Sequence, residues 1–326
     1  MSNDNKNDIN VIVESMAGDG FDVALMSEDE YHQNFSIDGV KVSFCASRQH
    51  IDLKDNISKY NKLEVAALET IEAMKIYTII KYRTKSRDFF DVLTCIKNGK
   101  SFQDLIINMQ NRYEKLPIKY SEAIIEQRFI KTKLSDSDEG LMGMITSPPN
   151  FKEMQDEFKN IIGLIASYNI QTIEEIKKDP SLIKEQNVLN KKFGLLGLNL
   201  LEYLCHIKNY KLYEKVLNTG YFNPNEKNGF AEPILHKLID NGEYDLFDET
   251  LLHCNKINDE LGSFIAKKKD DKAKRIIDIH KVLNRVLKNG AIKKQLFEKI
   301  EDLISIEDFD ELLTRKKHVQ TLKIEK

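Results

Sequence analysis

Apolar and polar positions follow two rhythms along the chain, and the change comes early. Residues 21–67 carry short runs with a period near two: F21-D-V-A-L-M26, N34-F-S-I37, V40-K-V-S-F-C45 and L63-E-V-A-A67. Short runs rich in β-branched and aromatic residues predict strands. Asp38-Gly39 between the second and third predicts a tight hairpin, because both residues tolerate positive φ. Ahead of them, Asp8 is placed to cap a short helix with Ile9, Ile12, Val13 and Met16 on one face, ended by Gly18-Asp19-Gly20.

After Ala67 the apolar spacing becomes helical. Ile71, Met74, Tyr77 and Ile79 to Tyr82 predict one helix. Ser86 is the expected N-cap of a second, which carries Phe89, Phe90, Val92, Leu93 and Ile96 and stops at Asn98-Gly99. A third opens at S101-F-Q-D-L, where a serine and an acid three positions on resemble a capping box. S135-D-S-D-E-G140 to S147-P-P-N150 is the expected linker. Beyond it helices are expected over 151–168, 173–178, 199–207, 210–217 and 234–239, with long charged helices after Asn258 and no strand. The pattern predicts an α/β (α+β) domain over 1–147 and an all-α helical-bundle domain over 148–326.

Part of the second domain repeats after 34 residues: Leu201/Leu235, Leu204/Leu238, Tyr210/Tyr244, Leu212/Leu246 and Leu217/Leu251. Gly220 and Gly229 stand where paired-helix repeats place turns, and P233-I-L-H236 resembles an ankyrin helix opening. Two readings of 199–253 stay open: helix hairpins within a bundle, or ankyrin-like helix pairs.

Charge narrows the functional classes. Lys and Arg number 49 against 52 Asp and Glu, a net charge of −3, which excludes a globally basic nucleic-acid binder. No apolar run approaches the ~20 residues of a membrane helix, and MSNDNKNDIN lacks the apolar core of a secretory leader. The four cysteines form no C-x-x-C pair, so reduced thiols and a cytoplasmic location are expected. The histidines form no close pair, which leaves no structural zinc signal, and no P-loop motif is present.

The richest chemistry lies between Lys75 and Asp91. Lys75, Lys81, Arg83, Lys85 and Arg87 are basic, with no acid among them, and Asp88 and Asp91 follow on one helix face. Basic groups beside oriented carboxylates suit a triphosphate and a divalent metal. The plainer reading is an Arg87–Asp91 i,i+4 pair, a helix-start acid at Asp88 and a solvated basic face.

The run E72-A-M-K75-I-Y-T-I-I-K-Y-R83-T-K-S-R87-D88-F-F-D91-V-L resembles the signature of the AbiEii/AbiGii toxin-like nucleotidyltransferases. N34-F-S-I-D-G-V-K-V-S-F44 is similar to the strand hairpin of that family, and S101-F-Q-D-L with R112-Y113 to the helix after its signature. The resemblance covers roughly Ile9 to Gly140. It implies a nucleotidyltransferase fold, a small mixed sheet backed by helices, moving a nucleoside monophosphate from NTP with Mg2+ to an RNA, protein or small-molecule acceptor. It implies that Lys75 contacts phosphate, that Arg83, Lys85 and Arg87 support the nucleotide, and that Lys75, Asp88 and Asp91 serve catalysis in a cleft between the two domains. Some members of the family are halves of toxin–antitoxin pairs.

The chain departs from that pattern. The Gly-Gly-Ser/Thr turn and the metal-binding Asp-x-Asp are not evident; Asp8-Ile9-Asn10 and Gly18-x-Gly20 with Glu28-x-Glu30 are weak substitutes. The third carboxylate position falls at Ser43, with Asp38 nearby in its turn. Two accounts stay open: the motif is encoded upstream of Met1, or the domain keeps the fold without metal-dependent transfer, as a nucleotide- or RNA-binding relative acting through its helical part.

Elsewhere, Lys267 to Lys294 holds eleven basic and three acidic residues without an aromatic, which reads more readily as helices pairing with one another than as a nucleic-acid surface. His236 and His253 read as packing residues, and Cys95 as a buried thiol on an apolar helix face.

Overall fold

The computed structural model describes residues 3–29, 32–45, 57–60, 63–82, 84–113, 122–133, 150–222, 234–254, 257, 259–289 and 294–324. The chain is mostly helical, with a small antiparallel sheet near its N-terminus. It divides into two compact units, Met1–Ile57 and Ser58–Lys326.

In the first unit, helix α1 (Asn3–Gly18) precedes strands β1 (Val23–Glu28), β2 (His32–Ile37) and β3 (Val40–Cys45). Asp8, the expected cap, lies inside α1, which starts five residues earlier. The sheet order is β1-β2-β3 with both pairs antiparallel, so the described strands form no mixed sheet. Short connections explain this, since parallel neighbours need a long crossover. Asp38 and Gly39 turn the β2–β3 hairpin at φ of 48° and 78°, and the register slips by one residue between Leu25 and Ser27. Ile9, Phe35 and Ile37 are buried, with Val13, Met16, Val23, Val42 and Phe44 around them. Ile12, expected on the inner face, is 48% exposed.

The second unit contains strands β4 (from Ile57, which closes the first unit, to Tyr60) and β5 (Leu63–Ala66), a separate two-stranded sheet. Helices α2 (Leu68–Lys81), α3 (Ser86–Lys97) and α4 (Phe102–Arg112) follow. Lys85, not Ser86, caps α3: its backbone is extended, its carbonyl accepts the Asp88 N–H at 2.9 Å, and Ser86 is the first, fully buried helical residue. Ser101 caps α4 by accepting the Asp104 N–H at 3.0 Å, while its hydroxyl donates to the Asp104 carboxylate at 2.6 Å. Helix α5 (Glu122–Glu126) runs into a π-helical turn, Gln127–Lys131.

Helix α6 (Phe151–Lys178) is continuous where two helices were expected. The expected linker lies outside the described residues apart from Asn150, which caps α6 by accepting the Lys152 N–H at 2.9 Å. Phe158 of α6 meets Phe89 at 5.8 Å and Phe129 at 5.0 Å between ring centroids, and Phe102 meets Phe129 at 5.0 Å. One aromatic core therefore joins helices on both sides of the expected boundary at residue 147.

After the 3-10 turn Pro180–Lys184 and α7 (Gln186–Leu189), the loop 190–199 closes on itself through reciprocal backbone bonds between Phe193 and Leu198. That isolated bridge forms no strand, and no strand is found beyond Asn150 among the described residues. Hairpins α8 (Leu200–His206) with α9 (Tyr210–Asn218), and α10 (Ile234–Asp240) with α11 (Tyr244–Leu252), follow with every boundary displaced by 34 residues. Their turns match: Lys208 and Gly242 have φ of 57° and 74°, and the Asn209 and Glu243 N–H groups each donate to a leucine carbonyl at 2.9 Å. A third turn of the same kind, at Lys269 (φ 55°), joins α12 (Asp259–Lys268) to α13 (Asp271–Asn289). Leu204, Tyr213, Val216, Leu238, Phe247, Leu251, Ile265 and Ile277 share one core through these hairpins.

Helices α14 (Lys294–Glu301) and α15 (Ile306–Ile324) close the chain. Ile300 and Phe309 pack with Leu283 and Val286 in a smaller core. The buried Lys316 ammonium donates to the Leu251 and Cys254 carbonyls at 3.0 and 3.1 Å, satisfying the carboxyl end of α11.

Candidate functional site

Lys75, Asp88 and Asp91 are brought together. Lys75 projects from α2; Asp88 sits in the first turn of α3, where the helix dipole favours an anion, and Asp91 follows one turn on. The Lys75 Nζ lies 2.9 Å from Asp88 Oδ1 and 2.6 Å from Asp91 Oδ2. The Asp88 side chain is 0% exposed, Lys75 29% and Asp91 42%. Burial alone would lower the Lys75 pKa. Hydrogen bonds and charges from Asp91 and Asp88 outweigh it, so the ammonium titrates above its ordinary value.

Two further expected residues lie at the start of α3. Lys85 is exposed at the cap of α3, and Arg87 is half-buried in its first turn. Arg83 lies outside the described residues.

Beside the cluster is a hollow of about 260 Å3, walled by Leu68, Ile71, Ile76, Phe90 and Leu105, with Lys75 and Asp91 in its lining. Its lining comes from α2, α3 and α4, so it lies within the first expected domain instead of between the two. Sequence reasoning missed Glu72 in this wall. It is 4% exposed and pairs with Lys100 at 3.7 Å; its place one turn before Lys75 was the available signal. Cys95 also lines the hollow, its thiol pushed up by burial and then by the charges of Glu72 and Asp91.

The donor set does not fit a magnesium site. Two carboxylates face one ammonium already bonded to both, and no group of three His, Cys, Asp or Glu side chains suited to a metal occurs among the described residues. The sequence substitutes for the missing motif do not supply one. Ser43 donates to Asn34 Oδ1 at 2.5 Å across β2 and β3, and Asp38 accepts the Asp22 N–H at 2.7 Å in its turn. Asp8-Ile9-Asn10 lies within α1, Glu28 ends β1, and Glu30 lies outside the described residues.

The basic stretch after Lys267 is used between helices. Lys268 pairs with Asp240, Lys272 lies 4.4 Å from the Tyr244 ring centroid, and Arg275 donates to the Leu303 carbonyl at 2.7 and 2.9 Å. The His236 ring stacks on Phe264 at 4.0 Å, and His253 is buried. No helix of the described residues is long and apolar enough to cross a membrane. No family model, no curated protein and no solved structure matches this chain, so its own side-chain geometry carries the functional reading.

Proposed function

We propose that this chain is a non-catalytic relative of the AbiEii/AbiGii-like nucleotidyltransferases, acting as an interaction protein through its helical part. The observation that carries the reading is the Lys75 ammonium held at 2.9 and 2.6 Å by Asp88 and Asp91. Nucleotidyl transfer needs cations open to phosphate and carboxylates open to metal. Here Lys75 and the two carboxylates engage one another. The cluster instead ties α2 to α3. Support for partner binding comes from the repeated hairpins, since stacked like units present an extended surface while sharing one core.

The test is incubation of the protein with each α-labelled NTP, magnesium, cell RNA and cell protein. No labelled product is expected. Label in RNA or protein that disappears in Lys75→Met, while the variant's circular dichroism at the assay temperature remains that of the folded wild type, would overturn the reading.

A second reading, transfer of a nucleoside monophosphate from NTP, is favoured by Lys75 and Asp91 lining the apolar hollow. In it, Lys85 and Arg87 assist Lys75 on phosphate while Asp88 and Asp91 position the reacting groups. It requires Asp91→Asn to abolish label transfer without loss of stability.

A further inference from the structure

The loop leading into the first hairpin meets the middle of α6 around an open hollow of about 520 Å3. Several polar side chains in its wall are satisfied locally. Lys192 pairs with Asp104, Asn190 donates to Gln186 at 3.0 Å, and Gln103 donates to the Lys192 and Gly194 carbonyls at 3.1 and 2.5 Å. Two others keep donors in hand. Asn169 is 2% exposed and its Nδ2 has no hydrogen-bond partner. Leaving a buried N–H unpaired is costly, so a ligand acceptor there is well rewarded.

Lys191 is the second. Its ammonium lies 3.1 Å from the Tyr168 ring centroid and donates to Thr172 Oγ1 and, at 3.4 Å, to the Tyr168 carbonyl. It has no ion pair among the described residues, and those bonds leave one of its three N–H groups. Burial pushes its pKa down to about 8, against a smaller opposing effect from Glu175. With Lys192 matched by Asp104, Lys191 is the cation of the hollow left without an ion pair among the described residues. Leu164 and Tyr168, 70% and 62% exposed, supply an apolar wall beside it.

We propose that this hollow binds an apolar monocarboxylate, its oxygens accepting from Asn169 Nδ2 and Lys191 Nζ and its body lying on Tyr168 and Leu164. A single charge matches a carboxylate better than a phosphate dianion, and an amide N–H beside an ammonium suits two oxygens on one carbon. The ligand is a free acid or the C-terminal carboxylate of a peptide. None of these residues belongs to the Lys75 cluster, so the site stands apart from the function proposed above.

Titration calorimetry on the full chain tests it, with N-acetylphenylalanine, its amide, an acetylated tetrapeptide ending in phenylalanine, and inorganic phosphate. Both carboxylates should bind, with the amide at least tenfold weaker and phosphate not bound. A tetrapeptide tighter than the free amino acid supports a peptide C-terminus; equal affinities support a small acid. An anion raises the Lys191 pKa, so binding at pH 8.5 should take up protons, seen as a heat that changes with buffer ionisation enthalpy, and at pH 6.5 should not. Asn169→Leu and Lys191→Met should each weaken binding at least tenfold with circular-dichroism melts as cooperative as the wild type. No carboxylate binding at millimolar concentration, equal binding of acid and amide, or buffer-independent heats at pH 8.5 would overturn the proposal without recourse to any variant.

Discussion

Lys75 and Asp88 are thirteen positions apart in sequence and 2.9 Å apart in space. Their residue types, and the shared face of Asp88 and Asp91, were legible from spacing alone. Their engagement with one another was not, because helical periodicity says which residues share a face and leaves open which helix that face meets. The same blindness hid His280, one turn beyond Ile276 on α13, whose Nε2 lies 2.6 Å from Asp248. Burial pushes the His280 pKa below its ordinary value of 6.5, with Lys316 and Arg315 adding to the shift and Asp248 opposing it. The unfolded chain therefore takes a proton that the native state refuses. Stability from this site is present above pH 6.5 and is lost as pH falls from there toward the depressed native value. Urea unfolding between pH 7.5 and 5.5 should show that loss, and His280→Gln should flatten it; an unchanged slope in the variant contradicts the account. For the cluster itself, Lys75→Met removes an ion-pair partner from the buried Asp88 and should cost about 3–5 kcal/mol. Adding Asp88→Asn should recover much of that in the same urea measurement, a coupling that independent surface charges would lack.

At the scale of elements, the 34-residue repeat could be read from five apolar pairs, and the helices realise it boundary for boundary. The third turn, at Lys269, is not legible from the repeat because its spacing differs: it follows Gly242 by 27 residues, whereas Gly242 follows Lys208 by 34. The pattern breaks helix α6 at Y168-N-I-Q-T172, since polarity there mimics a loop. In the folded chain Asn169 and Thr172 are buried, and the Thr172 hydroxyl donates to the Tyr168 carbonyl at 2.9 Å. The repeat also allows one copy to predict the other. Lys208 occupies the left-handed position that Gly242 fills one repeat later, so Lys208→Gly should stabilise by about 1 kcal/mol and Gly242→Lys destabilise by a similar amount. Denaturant midpoints at unchanged slope check both. In the loop before the first hairpin, Gly194 has φ of 64°, and an added Cβ would meet Glu122 Oε1 head-on. That carboxylate accepts the Leu195 N–H at 2.7 Å and lies 3.6 Å from His206. Burial would raise its pKa, yet His206 and the Leu195 and Leu196 N–H groups hold it below the usual range. Gly194→Ala must displace it from these partners and should cost about 1–3 kcal/mol in the same melts.

For the molecule as a whole, the order of a small sheet followed by helices was legible, and the place where compactness divides was not. Proline, glycine and acidic residues marked 135–150 as a boundary, whereas Phe89, Phe102 and Phe129 pack with Phe158 across it and the compact units part at Ile57. Composition records where a chain can loop, and only packing records which helices then share a core. The functional account turns on whether the Lys75 ammonium is available to a phosphate or is committed to Asp88 and Asp91. Thermal unfolding with and without NTP and magnesium measures this directly. A ligand at 100 times its Kd would add about 2.7 kcal/mol, several degrees for a chain of this size. The account predicts the same melting temperature with each millimolar NTP as without; a rise that vanishes in Lys75→Met would contradict it.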